Sequence, residues 1–213
     1  MATITKGILG GFSGTVGTVV GANWRGKDVI RSRPKPSSKL PSDKQLMQQA
    51  KFKLATQFLQ PIKGILNLYF GSDSGARSRA NIAVSYTIKE AVIITGGLPE
   101  IEFSKVLITK GDLAGFQNLT VTPKTGAELE FNWDDNSLQG NASATDKFAV
   151  VIYCASLNEF YPFETNSLRP DGNVSVTLPA YTVGESVEIY AYFHNEKQTL
   201  ACNSVAMGSQ ILI

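Results

Sequence analysis

The sequence predicts a mainly β fold with a helical segment, closed by a C-terminal antiparallel sandwich. Three observations carry this. From about Leu98 the chain reads as short alternating runs separated by turn signals. Residues 43–60 space their apolar side chains as a helix does. Residues 1–40 are rich in glycine, β-branched residues and basic charge, with few side chains to build a core. The chain therefore divides into a basic glycine-rich arm and linker at 1–40, a helical segment at 41–97 and a sandwich at 98–213.

Within the arm, residues 14–34 read as a β-hairpin. Thr15 to Trp24 forms one strand, Arg25-Gly26-Lys27 turns the chain, and Asp28 to Arg33 returns it. Val29, Arg31 and Arg33 then share a face. A hairpin alone is marginal in water, so the arm needs a further surface, in its own chain or another. Gly10-Gly11-Phe12-Ser13-Gly14 lacks the G-K-[ST] ending of a phosphate loop and is not read as one. Three prolines in 34–41 make an extended linker.

Ser42 is placed as the N-cap of the helix, with Gln45 as its capping-box partner. The helix carries two apolar stripes, Met47, Ala50, Leu54 and Phe58 on one and Phe52, Ala55, Leu59 and Ile62 on the other. It is expected to pack on two sides. Pro61 breaks it, a second piece runs over 62–70 and ends at Gly71, and a third helix is expected over 79–93. Strands are expected at 101–109, 116–122, 127–133, 147–155, 158–164, 172–178, 185–193 and 202–213. Ala127, Leu129, Phe131 and Trp133 alternate inward against Glu128, Glu130 and Asn132.

Charge is unevenly spread. Ten basic residues in positions 1–60 stand against Asp28 and Asp43, a balance of +8, while positions 61–213 carry −6. Such a split implies different partners for the two parts. A basic arm can hold nucleic-acid phosphates through Arg25, Lys27, Arg31 and Arg33. It can instead dock on the acidic body of a neighbouring copy. The plain alternative is a solvated basic linker.

Nothing in the sequence assembles a catalytic or metal-binding set, and no cofactor is expected. His194 is the only histidine and is read as a surface residue. Cys154 and Cys202 lack metal-site spacing and are read as reduced thiols, with a bridge as the alternative. Asp134-Asp135-Asn136 is read as a turn rather than a calcium loop. Glu128 and Glu130 are read as a solvated face. Phe160, Tyr161 and Phe163 could line a carbohydrate surface, but sheet packing is the preferred reading. No transmembrane helix and no cleaved signal are expected, which places the protein in the cytoplasm or in a released particle.

Two resemblances add to this reading. Trp133 near the end of an early strand, and Leu178-Pro179-Ala180-Tyr181 leading into 187–193, resemble a fibronectin type III or immunoglobulin-like sandwich. The N-terminal pattern Gly7-Ile8-Leu9-Gly10-Gly11-Phe12-Ser13-Gly14, with Val16-Gly17-Thr18-Val19-Val20-Gly21 and Trp24-Arg25-Gly26, resembles an uncharacterised family of Bacteroidota proteins. That family implies no activity and no functional residue. The resulting expectation is a non-enzymatic, self-assembling structural protein, such as a subunit of a filament, shell or virion-like particle. Val19, Trp24, Val29 and Arg31 of the arm are its expected contacts with neighbouring copies. Nucleic-acid binding and a carbohydrate or adhesion module are the alternatives.

Overall fold

The computed structural model describes residues 2–4, 12–24, 26–35, 40–72 and 77–213. They form two compact units, residues 1–43 and residues 44–213.

In the first unit the expected hairpin, formed by the third and fourth strands, is part of a small antiparallel sheet. Four strands, β1 (Ala2–Ile4), β2 (Gly14–Val16), β3 (Val19–Trp24) and β4 (Lys27–Ser32), lie in the order β1-β4-β3-β2. The single strand expected from Thr15 to Trp24 is broken at Gly17-Thr18. Gly17 takes a φ of +60°, which glycine adopts at no steric cost, and the chain reverses there. A second reversal follows Trp24, where Gly26 has a φ of +77°. Asn23 braces it, donating from Nδ2 to Asp28 Oδ1 at 2.9 Å and accepting from the Gly26 amide at 3.1 Å. Gly21 is buried because Phe12 covers it: a Cβ there would lie 2.6 Å from the Phe12 ring.

The second unit opens with three helices, α1 (Asp43–Leu59), α2 (Lys63–Tyr69) and α3 (Arg79–Glu90). Pro61 separates the first two, as expected. Ser78 caps α3 by accepting from the Asn81 amide. The two-sided packing expected of α1 holds only at its C-terminal end. Ala55, Phe58 and Leu59 are buried, while Leu46 and Phe52 in the earlier turns are half exposed. Strands β5 (Val92–Thr95) and β6 (Leu98–Ile101) then form a two-stranded ribbon, where a helix end and a loop were expected. The β-branched run Val92-Ile93-Ile94-Thr95 disfavours helix, and Gly96 and Gly97 (φ +60° and +84°) provide the tight turn.

Seven strands make the sandwich. These are β7 (Thr120–Lys124), β8 (Glu128–Asn132), β9 (Lys147–Cys154), β10 (Glu159–Leu168), β11 (Asn173–Thr177), β12 (Ser186–His194) and β13 (Val205–Ile211). One sheet has the order β11-β8-β7 and the other β10-β9-β12-β13, with every pairing antiparallel. Pro123 and Pro162 both sit on edge strands, where a missing N–H breaks no ladder. The expected strand at 101–109 is instead a short 3₁₀ turn, Phe103–Lys105, followed by an extended segment. Val106 and Ile108 of that segment are fully buried. The Ile108 amide bonds the Ser204 hydroxyl at 2.9 Å, so it is satisfied without a partner strand.

Between the sheets the core is aromatic. Trp133 and Phe148 stack with ring centroids 4.9 Å apart and planes 4° from parallel. Phe116, Phe131 and Phe193 pack edge-on or tilted around Phe148. The opposite face of the four-stranded sheet carries the helical layer. Phe58 of α1 packs on Tyr153 and Phe160, and Tyr69 of α2 packs on Tyr192 and His194. Strand β9 is buried on both sides, which explains its nearly unbroken apolar run Phe148–Cys154.

Candidate functional site

The arm sheet sorts its residues by strand register. Trp24 pairs with Lys27, Ala22 with Val29 and Val20 with Arg31, so these six lie on one face. Val19 pairs with Ser32, and Gly21 pairs with Ile30, on the other. Of the four expected contact residues, Trp24, Val29 and Arg31 thus come together, and Val19 falls on the opposite face with Phe12-covered Gly21. Trp24 is 49% exposed, and Lys27 and Arg31 are exposed beside it on the same face. Arg33 follows β4, exposed, with its amide bonded to the Thr18 carbonyl at 2.8 Å. Arg25 lies outside the described residues. On this face Ala22 and Val29 lie between the Trp24–Lys27 and Val20–Arg31 pairs.

Among the described residues no group of three or more His, Cys, Asp or Glu could hold a metal. His194 is not a surface residue: it is 2% exposed and stacks on Tyr69 at 5.6 Å. Its strand continues beneath α2, and the helical layer covers the ring. Both cysteines are buried free thiols. Burial pushes the Cys202 thiol up to about 11, so at neutral pH it stays protonated and is no nucleophile. Native protein should resist alkylation at Cys202 by iodoacetamide, with labelling appearing only in denaturant. Mass spectrometry of the two samples checks this.

Glu130 is held by Lys124 at 2.7 Å, which removes it from any paired-carboxylate chemistry with Glu128. Asp134 accepts from Asn118 at 2.6 Å, and Asp135 accepts from the Ser137 amide at 2.9 Å, so this segment is a braced turn. Phe160 packs on Tyr153 with centroids 4.5 Å apart, and the Tyr161 hydroxyl donates to Glu159 at 2.5 Å.

Sequence reasoning missed one cluster altogether. Arg169, just after β10, is fully buried at one end of the sandwich. Its guanidinium meets Asp146 Oδ2 at 3.0 Å, Asn136 Oδ1 at 2.6 Å, and the carbonyls of Ala114 and Gly115 at 2.9 and 3.1 Å. It also lies 4.0 Å over the Phe193 ring. Its carbonyl accepts from Trp133 Nε1 at 2.8 Å. Arg-Pro-Asp-Gly carries a turn signal but nothing that distinguishes a buried arginine from a solvated one. The cluster binds four loop segments together and gives every nitrogen of the guanidinium an acceptor, which is a structural task.

Two concavities are formed by described residues of the second unit. A cleft of about 880 Å³ lies between the C-terminal half of α1 and β6, walled by Leu54, Phe58, Ile101, Phe103 and Tyr153. A smaller cavity of about 320 Å³ lies between the end of α2, the start of α3 and the β12–β13 loop.

The strand order and aromatic core define a fibronectin type III or immunoglobulin-like sandwich carrying a helical layer on its four-stranded face. The chain belongs to DUF6266, a family of unknown function, whose model matches residues 11–208. No curated protein matches the chain. Solved structures similar to it include the FN1–FN3 domains of chicken CNTN1, at 10% identity and TM-score 0.34 over 45% of this chain and 35% of that one. Domains d3–d4 of the rat CD45 extracellular region match at 10% identity and TM-score 0.34, over 48% of this chain and 49% of theirs. The FN5 domain of Drosophila Lar matches at 12% identity and TM-score 0.30, over 47% of this chain and 97% of its own. The chain thus spans less than half of the first two structures. Among the described residues no helix is long and apolar enough to cross a membrane.

Proposed function

We propose that this is a non-enzymatic structural protein that assembles with copies of itself through its N-terminal arm. The observation that carries this reading is the sorted arm face, on which Val29 lies between the Trp24–Lys27 and Val20–Arg31 pairs. Aromatic anchors flanked by arginine are the residues that concentrate binding energy at interfaces. Two further features support it. Residues 1–43 carry seven basic and two acidic residues, a balance of +5, against 13 basic and 16 acidic residues in 44–213, a balance of −3, and opposite net charges favour contact between one copy's arm and another copy's body. Helix α1 also exposes Leu46 and Phe52, and the β5–β6 ribbon Ile94 and Leu98, each at least half exposed.

The same basic face carries a second reading, nucleic-acid binding through Lys27, Arg31 and Arg33, which predicts affinity falling steeply with salt. An adhesion role for the sandwich loops is compatible with the fold, but no loop feature favours it.

The test is the mass in solution of the full chain and of a variant lacking residues 1–35. The full chain should form multimers and the deletion variant single copies, with the sandwich still folded by near-ultraviolet circular dichroism. Multimers of unchanged mass in the deletion variant would remove the arm from assembly. Retention on DNA at low salt, lost on deletion, would favour the nucleic-acid reading.

A further inference from the structure

The smaller cavity gathers groups that the assembly reading does not use. Tyr69, at the end of α2, lines it and is 2% exposed, yet its hydroxyl has no hydrogen-bond partner. Arg79, the first residue of α3, also lines it. One arginine terminus is held by the Leu68 carbonyl, while the buried Nε–H has no partner. Lys110 lines the cavity too, its ammonium 5.4 Å from the Tyr86 ring centroid. The first turn of α3 adds the partial positive charge of a helix N-terminus.

Native interiors rarely leave buried donors unpaired, and two residues lining one cavity each carry an orphan donor. The charge there selects the kind of acceptor. Among the described lining residues two cations, Arg79 and Lys110, face one carboxylate, Asp112, while Glu164, whose charge reaches the Tyr69 phenol, lies outside the lining. The tyrosine is a donor at neutral pH, because burial and the charge of Glu164 push its phenol up to about 12. Ser72 and Asn203 complete the polar wall, with Asn203 accepting from the Gly111 amide at 3.1 Å.

We propose that this cavity binds a small oxyanion, a phosphate or carboxylate group, held by the Arg79 guanidinium, the Lys110 ammonium and the Tyr69 hydroxyl. A volume of about 320 Å³ accommodates such a group with part of the molecule that carries it. A guanidinium is well matched to two oxygens of either group, and the phenol gives a neutral donor to a third or shared one.

The experiment is isothermal titration of the full chain with inorganic phosphate and, separately, with acetate, each against sodium chloride at matched ionic strength. Saturable binding of one ion per chain is expected, and the tighter ion distinguishes phosphate from carboxylate. Arg79→Gln should weaken it by about tenfold or more, and Tyr69→Phe should weaken it less, because a charge-assisted bond exceeds a neutral one. The arm variant Arg31→Gln/Arg33→Gln should bind unchanged, which separates this cavity from the basic arm. Heat matched by chloride, or binding that survives Arg79→Gln in a protein of unchanged circular dichroism, would overturn the proposal. So would loss of binding in the arm variant alone. If Arg79→Gln does not fold, Lys110→Gln, at an exposed residue, takes its place with the same expected weakening.

Discussion

Replacing Arg169 with alanine is expected to lower the unfolding free energy by about 3–5 kcal/mol, because it strands a buried carboxylate. Asp146 is 1% exposed, and Arg169 is its only ion-pair partner among the described residues. The substitution also removes donors from Asn136 and from the carbonyls of Ala114 and Gly115. Each buried acceptor left open adds to the loss. The cause can be separated from simple loss of volume. Arg169→Met with Asp146→Leu removes both charges together and should cost clearly less than Arg169→Ala, since no unpaired charge remains. Urea denaturation of the three proteins checks the order. A double variant as unstable as the single would mean that packing, not stranded charge, sets the effect.

Trp133→Ala is expected to cost a similar amount, about 3–5 kcal/mol, through the cavity left by the indole. The ring is 5% exposed and stacks on Phe148 at the centre of the sandwich. Its Nε1–H also holds the Arg169 carbonyl, so the two sites share a network. Their effects should not add: a double-mutant cycle should return a coupling of about 0.5–3 kcal/mol. Trp133→Phe keeps an aromatic stack but removes that donor, and should fall between wild type and Trp133→Ala. Additive losses would show that the ion pair and the aromatic core stabilise the fold separately.

These two sites mark where the sequence could be read and where it could not. Trp133 was legible, because strict alternation over Ala127–Trp133 assigns it to the inner face whatever the partner strand. The same period runs through Val174 and Val176 and through Ile189 and Phe193, which pack in or against the core. Pro61 and the helical spacing on either side fixed the break between α1 and α2. Arg169 was not legible, since its burial depends on Asp146 and Asn136, which loops distant in sequence deliver to it. His194 failed for the same reason: the strand pattern showed its position near an end but not that α2 covers it. The ribbon β5–β6 had a local signal, Ile-Ile-Thr followed by Gly-Gly, that the helical period upstream obscured. On the arm, residue types gave Trp24 and Arg31 as contacts. Period-two alternation along 19–24 already puts Val19 and Trp24 on opposite faces, and the β3–β4 register adds that Val29 and Arg31 share the face of Trp24. The cavity at Tyr69 and Arg79 has no sequence signal, because α2, α3 and the β12–β13 loop meet there only in the fold.

The assembly reading is tested most directly by the particle mass and appearance of the full-length, nuclease-treated protein, from light scattering and negative-stain electron microscopy of one sample. The account predicts regular multimers of the 23.0 kDa chain, with a repeat visible in the images. Dispersed single copies at that mass, across the concentrations where the sample remains clear, would contradict it.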